Sequence, residues 1–201
     1  MKVAKSIRVL LIGNSISDAM IALAWTVMHK ELYSIVSSKL IALEQLLVCV
    51  AVMAVSAYWE NIQAWMEKYF VAIELWESVL NTAYCVWFLF QWNPYVYFFA
   101  DLFYFIIIGS VLYKTAGTCY TKLFKDSQDR VNADSAFEFF TSLARISGFG
   151  IGIFFSPGIK TCIVLFMVGD LIRTAGRVWT FRGKKSEKTK EFPEQLELNL
   201  Q

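Results

Sequence analysis

Apolar residues run along this chain in long blocks divided by short polar breaks, and the blocks have the length of membrane-crossing helices. A helix that spans the hydrocarbon core needs about twenty mainly apolar residues. Six stretches meet that length: 8–28, 39–59, 70–92, 95–113, 136–155 and 158–181. Only Asn93 and Pro94 separate the third from the fourth, a pair that stops one helix and lets the next begin, so the two form a hairpin. Ser156, Pro157 and Gly158 make a second tight turn between the fifth and the sixth. The connection 115–135 is long and polar, with room for a short surface helix. The tail, 183–201, is charged and has no apolar stripe long enough to fold alone, so it is expected to be mobile.

Composition strengthens the membrane reading. Of 201 residues, 57% are hydrophobic and 18% charged, with mean hydropathy +0.47. Soluble domains carry about 45–50% apolar and about 25% charged residues. Trp59, Trp92, Tyr95, Tyr113 and Trp179 lie where apolar runs end, as in an aromatic belt at headgroup level. The expected fold is therefore all-α, a polytopic membrane protein of six transmembrane helices with the lipid bilayer as its solvent. Residues 8–28 follow a short basic start and lack a small-residue cleavage site, so they read as a retained helix.

Lysine and arginine set the orientation. Lys2, Lys5, Arg8, Lys68, Lys114, Lys122, Lys125, Arg130 and the cluster from Arg177 to Lys190 fall on one side, against Lys30, Lys39 and Lys160 on the other. An even number of crossings with both termini cytoplasmic, in a bacterial inner membrane, accounts for this asymmetry. Cys49, Cys85 and Cys162 lie in apolar runs and Cys119 in a polar one, with no C-x-x-C pair, so packing thiols are expected.

Charges inside the apolar stretches need a reason, because each costs roughly 2.5–3.5 kcal/mol at the bilayer centre. Asp18 lies mid-way along the first stretch, Arg145 along the fifth, and Asp170 and Arg173 in the sixth. Glu44 and Asp101 sit in the outer parts of the second and fourth. Asp18, Glu44, Asp101, Arg145 and Asp170 are thus candidates for a substrate or proton site. Against this stands simple pairing, which Asp170 and Arg173 can manage at i, i+3 on one helix. Glu74 and Glu77 fall near the cytoplasmic start of the third stretch, within expected reach of water. Gly148, Gly150 and Gly152 mark a helix-packing groove.

The run Asp129-Arg130-Val131-Asn132-Ala133, then Ser142-Leu143-Ala144-Arg145-Ile146-Ser147-Gly148, Gly150, Gly152 and the S-P-G turn, resembles part of the major facilitator superfamily. It is similar to the loop, fifth helix and sixth helix of its macrolide-efflux-like exporters, and Leu11 to Ser17 resembles their first helix. The resemblance implies the N-terminal six-helix half of that fold. The family's gating motif between the second and third helices is degraded here, with Glu60 as its one retained acid. Phe149 stands where the fifth-helix motif usually has proline. Such transporters rock two halves around a central site, so transport by this chain requires a homodimer or a separate second half.

Two functions compete. One is a half-size transport protein exporting a small amphipathic solute, in which Asp18, Asp101 and Arg145 face a common polar seam. The other is a non-transporting interaction protein, an immunity or exclusion factor derived from a transporter half. Enzyme chemistry has little support: His29, the sole histidine, lies at a membrane edge, with no nucleophile system and no histidine metal site in the pattern. No cofactor and no nucleic-acid partner are expected. The end of the tail, Gln195 to Leu200, is similar to a peptide that docks on bacterial sliding clamps, but so short a match arises readily by chance.

Overall fold

The computed structural model describes residues 5–103, 110–121 and 127–182. The tail, its clamp-like peptide and residues 104–109 of the fourth stretch lie outside the described residues. Seven helices and no strand occur among those described: α1 (Lys5–Ile35), α2 (Ser38–Ala57), α3 (Trp59–Phe90), α4 (Pro94–Phe103), α5 (Ser110–Thr121), α6 (Ser127–Phe155) and α7 (Ile159–Arg182).

Local chemistry explains most of the breaks. Asn93 caps α4 by accepting from the backbone N–H groups of Tyr95 and Val96 at 3.0 and 3.3 Å, and Pro94 takes the first helical position, where no N–H is needed. Ser156 ends α6 in the left-handed region at φ 37°, which reverses the chain into α7. Tyr58 alone separates α2 from α3. The polar stretch 60–69 is therefore helical, where the hydropathy pattern had placed a loop. Likewise α5 and α6 continue through most of 115–135 in place of one short surface helix.

α1 is the central element, packed against α6 and α7, while α3 packs on α7 and α5 on α3. Close approach of α6 comes from missing side chains. A Cβ at Gly148 would lie 2.3 Å from the Ala19 carbonyl oxygen, and one at Gly152 would lie 2.9 Å from Thr26 Cβ. A Cβ at Gly150 would meet nothing within 4 Å, so this glycine takes no part in the groove. The main core gathers Val27, Met28, Leu32, Phe88, Tyr97 and Ile163.

The outside of the bundle is apolar. Phe90, Phe154 and Phe155 are 87%, 83% and 79% exposed, and Trp76, Ile146 and Met53 stand out similarly. Water-soluble monomers rarely show such continuous apolar surface. Three described helical segments are long and apolar enough to cross a bilayer: Arg8–Ile35, Ser38–Ala57 and Ala133–Phe155, with mean hydropathies of 1.4, 2.2 and 1.2. α3 and α7 have the length, at 32 and 24 residues, but carry charges on their inner faces. The chain is thus an all-helical protein with helices suited to a membrane.

Candidate functional site

Among the described residues, three junctions between helices bring ionisable side chains together. The first joins α1 to α6. Arg145 donates from Nε to Asp18 Oδ2 at 2.9 Å, with Nη2 also 2.9 Å from that oxygen. Gly148 sits one turn further along α6 and lets the two backbones come close enough for the pair to close.

The second is a ladder between α3 and α7. The buried face of α3 carries Phe70, Glu74, Glu77, Ser78, Asn81, Cys85 and Phe88, a spacing of three and four residues that forms one helical stripe. Arg177 Nη1 donates to Glu74 Oε1 at 2.6 Å. Arg173 reaches Glu77 Oε1 at 3.6 Å and also donates to Asp170 on its own helix. Asn81 Nδ2 donates to Glu77 Oε1 at 3.1 Å. Glu74 and Asp170 are 1% exposed and Glu77 4%. The expectation that Glu74 and Glu77 sit in reach of water is therefore corrected: α3 begins eleven residues before the third apolar stretch, which moves both glutamates into its middle.

The third gathers α1, α2 and α4. His29 Nε2 lies 3.2 Å from Asp101 Oδ2, and Glu44 stands beside both, with one donor atom from each residue within 4.8 Å of the others. Glu44 is the one buried residue of α2, at 3% exposure. His29 Nδ1 contacts the Trp25 carbonyl oxygen at 3.0 Å and the Tyr97 hydroxyl at 3.1 Å. Trp25 stacks on the imidazole at 3.8 Å, while Tyr33 and Tyr97 meet it edge-on. These contacts fix the ring in one orientation. No family model, characterised protein or solved structure matches this chain. The site must be read from its own chemistry.

Among the five candidate residues, Asp18 and Arg145 meet each other, Glu44 and Asp101 meet each other, and Asp170 joins the α3–α7 ladder. The common seam of Asp18, Asp101 and Arg145 does not form. Asp101 pairs with His29, eleven residues beyond Asp18 and so about 16 Å further along α1. His29 departs from the expectation of no metal-ligand partners: it is 3% exposed and lies beside two carboxyl groups. One signal for it was present in the sequence. Trp25, His29 and Tyr33 recur at i, i+4, which puts an aromatic collar around the histidine.

Proposed function

We propose that this chain is one six-helix half of a membrane transport protein of the major facilitator type, with both termini cytoplasmic. A second copy or a separate half completes the path for a small amphipathic solute. One observation carries the reading: ten ionisable side chains, from Asp18 to Arg177, line the helix junctions just described, inside a bundle whose exterior is apolar. Ionisable groups at membrane depth are costly and mark solute or ion paths by default. In two-half transporters the solute site lies near the midplane where the halves meet. Arg145, whose side chain is 43% exposed while still holding Asp18, is the charge best placed to face such a second half.

The test is native mass spectrometry of the full chain in lipid nanodiscs, followed by solute flux in proteoliposomes. A specific dimer whose flux is lost in Arg145→Ala supports transport. A monomer that pulls down no six-helix partner removes it.

A second reading has its own support. Asp18 already neutralises Arg145 within the chain, and Glu74, Glu77 and Asp170 pair with two arginines, Arg173 being shared by Glu77 and Asp170. Charges paired within the chain suit a non-transporting interaction protein, an immunity or exclusion factor derived from a transporter half. On that reading Arg145→Ala lowers stability, and no flux exists to lose.

A further inference from the structure

The α1–α2–α4 cluster differs from the other two in that, among the described residues, no arginine faces its carboxyl groups. In the ladder each buried carboxylate faces an arginine. Here two carboxyl groups share one imidazole, and the charged groups acting on Glu44 are Asp101 and His29. Two carboxylates so close repel unless a proton or a cation lies between them. Glu44 Oε2 is buried without a hydrogen-bond partner, although Glu44 is the residue that brings α2 to the bundle. An ordinary His–Asp pair makes no use of it.

The histidine is arranged as a ligand. With the proton on Nε2, the Tyr97 O–H donates to Nδ1 at 3.1 Å; with the proton on Nδ1, that nitrogen donates to the Trp25 carbonyl oxygen, as a metal at Nε2 requires. Nε2 then faces Asp101 either as a cationic N–H or as a lone pair on a metal. Metal-bound histidines almost always donate their other ring N–H to a carbonyl or carboxylate, which fixes the ring as it is fixed here. Metal–nitrogen and metal–oxygen bonds of about 2.0–2.2 Å place neighbouring ligands about 3.3–3.5 Å apart in a tetrahedral site. The 3.2 Å between Nε2 and Oδ2 is close to that edge. The third donor, within 4.8 Å, reaches the same ion after a shift of about 1 Å.

We infer that His29, Glu44 and Asp101 bind one divalent first-row transition cation, of which Zn²⁺ is the type, through one imidazole nitrogen and two carboxylate oxygens with a coordination position left open. An imidazole together with carboxylates selects this class over Mg²⁺ or Ca²⁺, which take six or more oxygen ligands or keep their water. The ligands come from three helices, so the ion ties α2 to α1 and α4. This binding stands whether or not the chain moves a solute.

The test is calorimetric titration of ZnCl₂ into the chelator-washed full chain in zwitterionic nanodiscs, with Co²⁺ absorption spectra on the same sample. The expected result is one saturable Zn²⁺ per chain and a visible Co²⁺ spectrum of low coordination number. Glu44→Gln, Asp101→Asn and His29→Gln each weaken binding by at least about tenfold, since loss of even an outer partner costs about 10–100-fold. Tyr97→Phe keeps a weaker site, and Asp18→Asn binds as the wild type does. Should a ligand variant fail to fold, the wild-type stoichiometry and Co²⁺ spectrum still decide. Wild-type protein that takes up no Zn²⁺ at micromolar concentration, or a triple variant that binds equally well, overturns the inference. The first outcome leaves an ordinary His–Asp pair, and the second assigns the ion to surface carboxylates or thiols.

Discussion

The three glycines of α6 look alike in the sequence, but alanine at each has a different expected effect. A methyl at position 148 would sit 2.3 Å from the Ala19 carbonyl oxygen and 3.0 Å from Ala22 Cβ, where ordinary contact begins at 3.4 Å. The obstacle is backbone, so no side chain can swing aside, and α6 must retreat from α1 by about 1 Å. Overpacking of this kind costs about 1–3 kcal/mol. A clash with backbone falls in the upper half of that range, and alanine returns up to about 1 kcal/mol by restricting the unfolded chain, leaving a net loss of about 1–2 kcal/mol. The same retreat stretches the 2.9 Å Arg145–Asp18 contact to about 4 Å, beyond hydrogen-bond range. At position 150 nothing lies within 4 Å, so alanine keeps only its favourable part. Thermal unfolding in detergent, followed by circular dichroism, therefore separates the two. Gly148→Ala lowers Tm by about 2–8 °C, and Gly150→Ala leaves it unchanged or raises it. Equal shifts for the two variants, or a Gly148→Ala protein as stable as the wild type, would refute the close α1–α6 packing.

Other expectations follow from the ladder, the thiols and the α5–α6 junction. Arg177→Gln strands the Glu74 carboxylate and costs about 3–5 kcal/mol, whereas adding Glu74→Gln recovers much of the loss; a double-mutant cycle with simply additive losses denies the pair. In single-cysteine variants, Cys85 and Cys162, at 1% and 0% exposure, react with a maleimide far more slowly in the folded than in the denatured state. Equal rates would mean that the core is open. Burial first, then Asp134, pushes the Tyr120 phenol up to about 12. A raised phenol favours the folded state fully below its ordinary pKa of 10, and that contribution is lost as pH climbs through about 12. The ultraviolet difference titration of wild type against Tyr120→Phe thus shows its tyrosinate step near 12, and a step near 10 contradicts the burial of Tyr120.

What could be read directly from the sequence was local. Asn93-Pro94 and the Ser156 turn were legible because a cap, a proline and a reversal act over three or four residues. The apolar blocks gave the helices their approximate places for the same reason. The start of α3 was not legible, because a helix need not stop where hydrophobicity stops. Glu60, Gln63, Ala64, Met66, Glu67 and Lys68 are good helix formers, and they carry α3 back to Trp59. That extension hid the burial of Glu74 and Glu77. Among the candidate residues, Asp18 and Arg145 were recognised singly but not as partners, since 127 positions separate them. His29, Glu44 and Asp101 lie on three helices, each towards the end of an apolar stretch, and only tertiary packing brings them together.

The α3–α7 ladder also carries a consequence for biogenesis. Glu74 is made 103 positions before the arginine that neutralises it. At a synthesis rate of about 5–20 residues per second, α3 waits about 5–20 s with its carboxylates unmatched. Until α7 emerges, α3 is a poor substrate for release into lipid, whereas α2, with the highest mean hydropathy of the three apolar spans, can leave the insertion machinery at once. On the membrane reading proposed above, α3 is expected to enter the bilayer out of chain order, staying beside the translocon until α7 arrives.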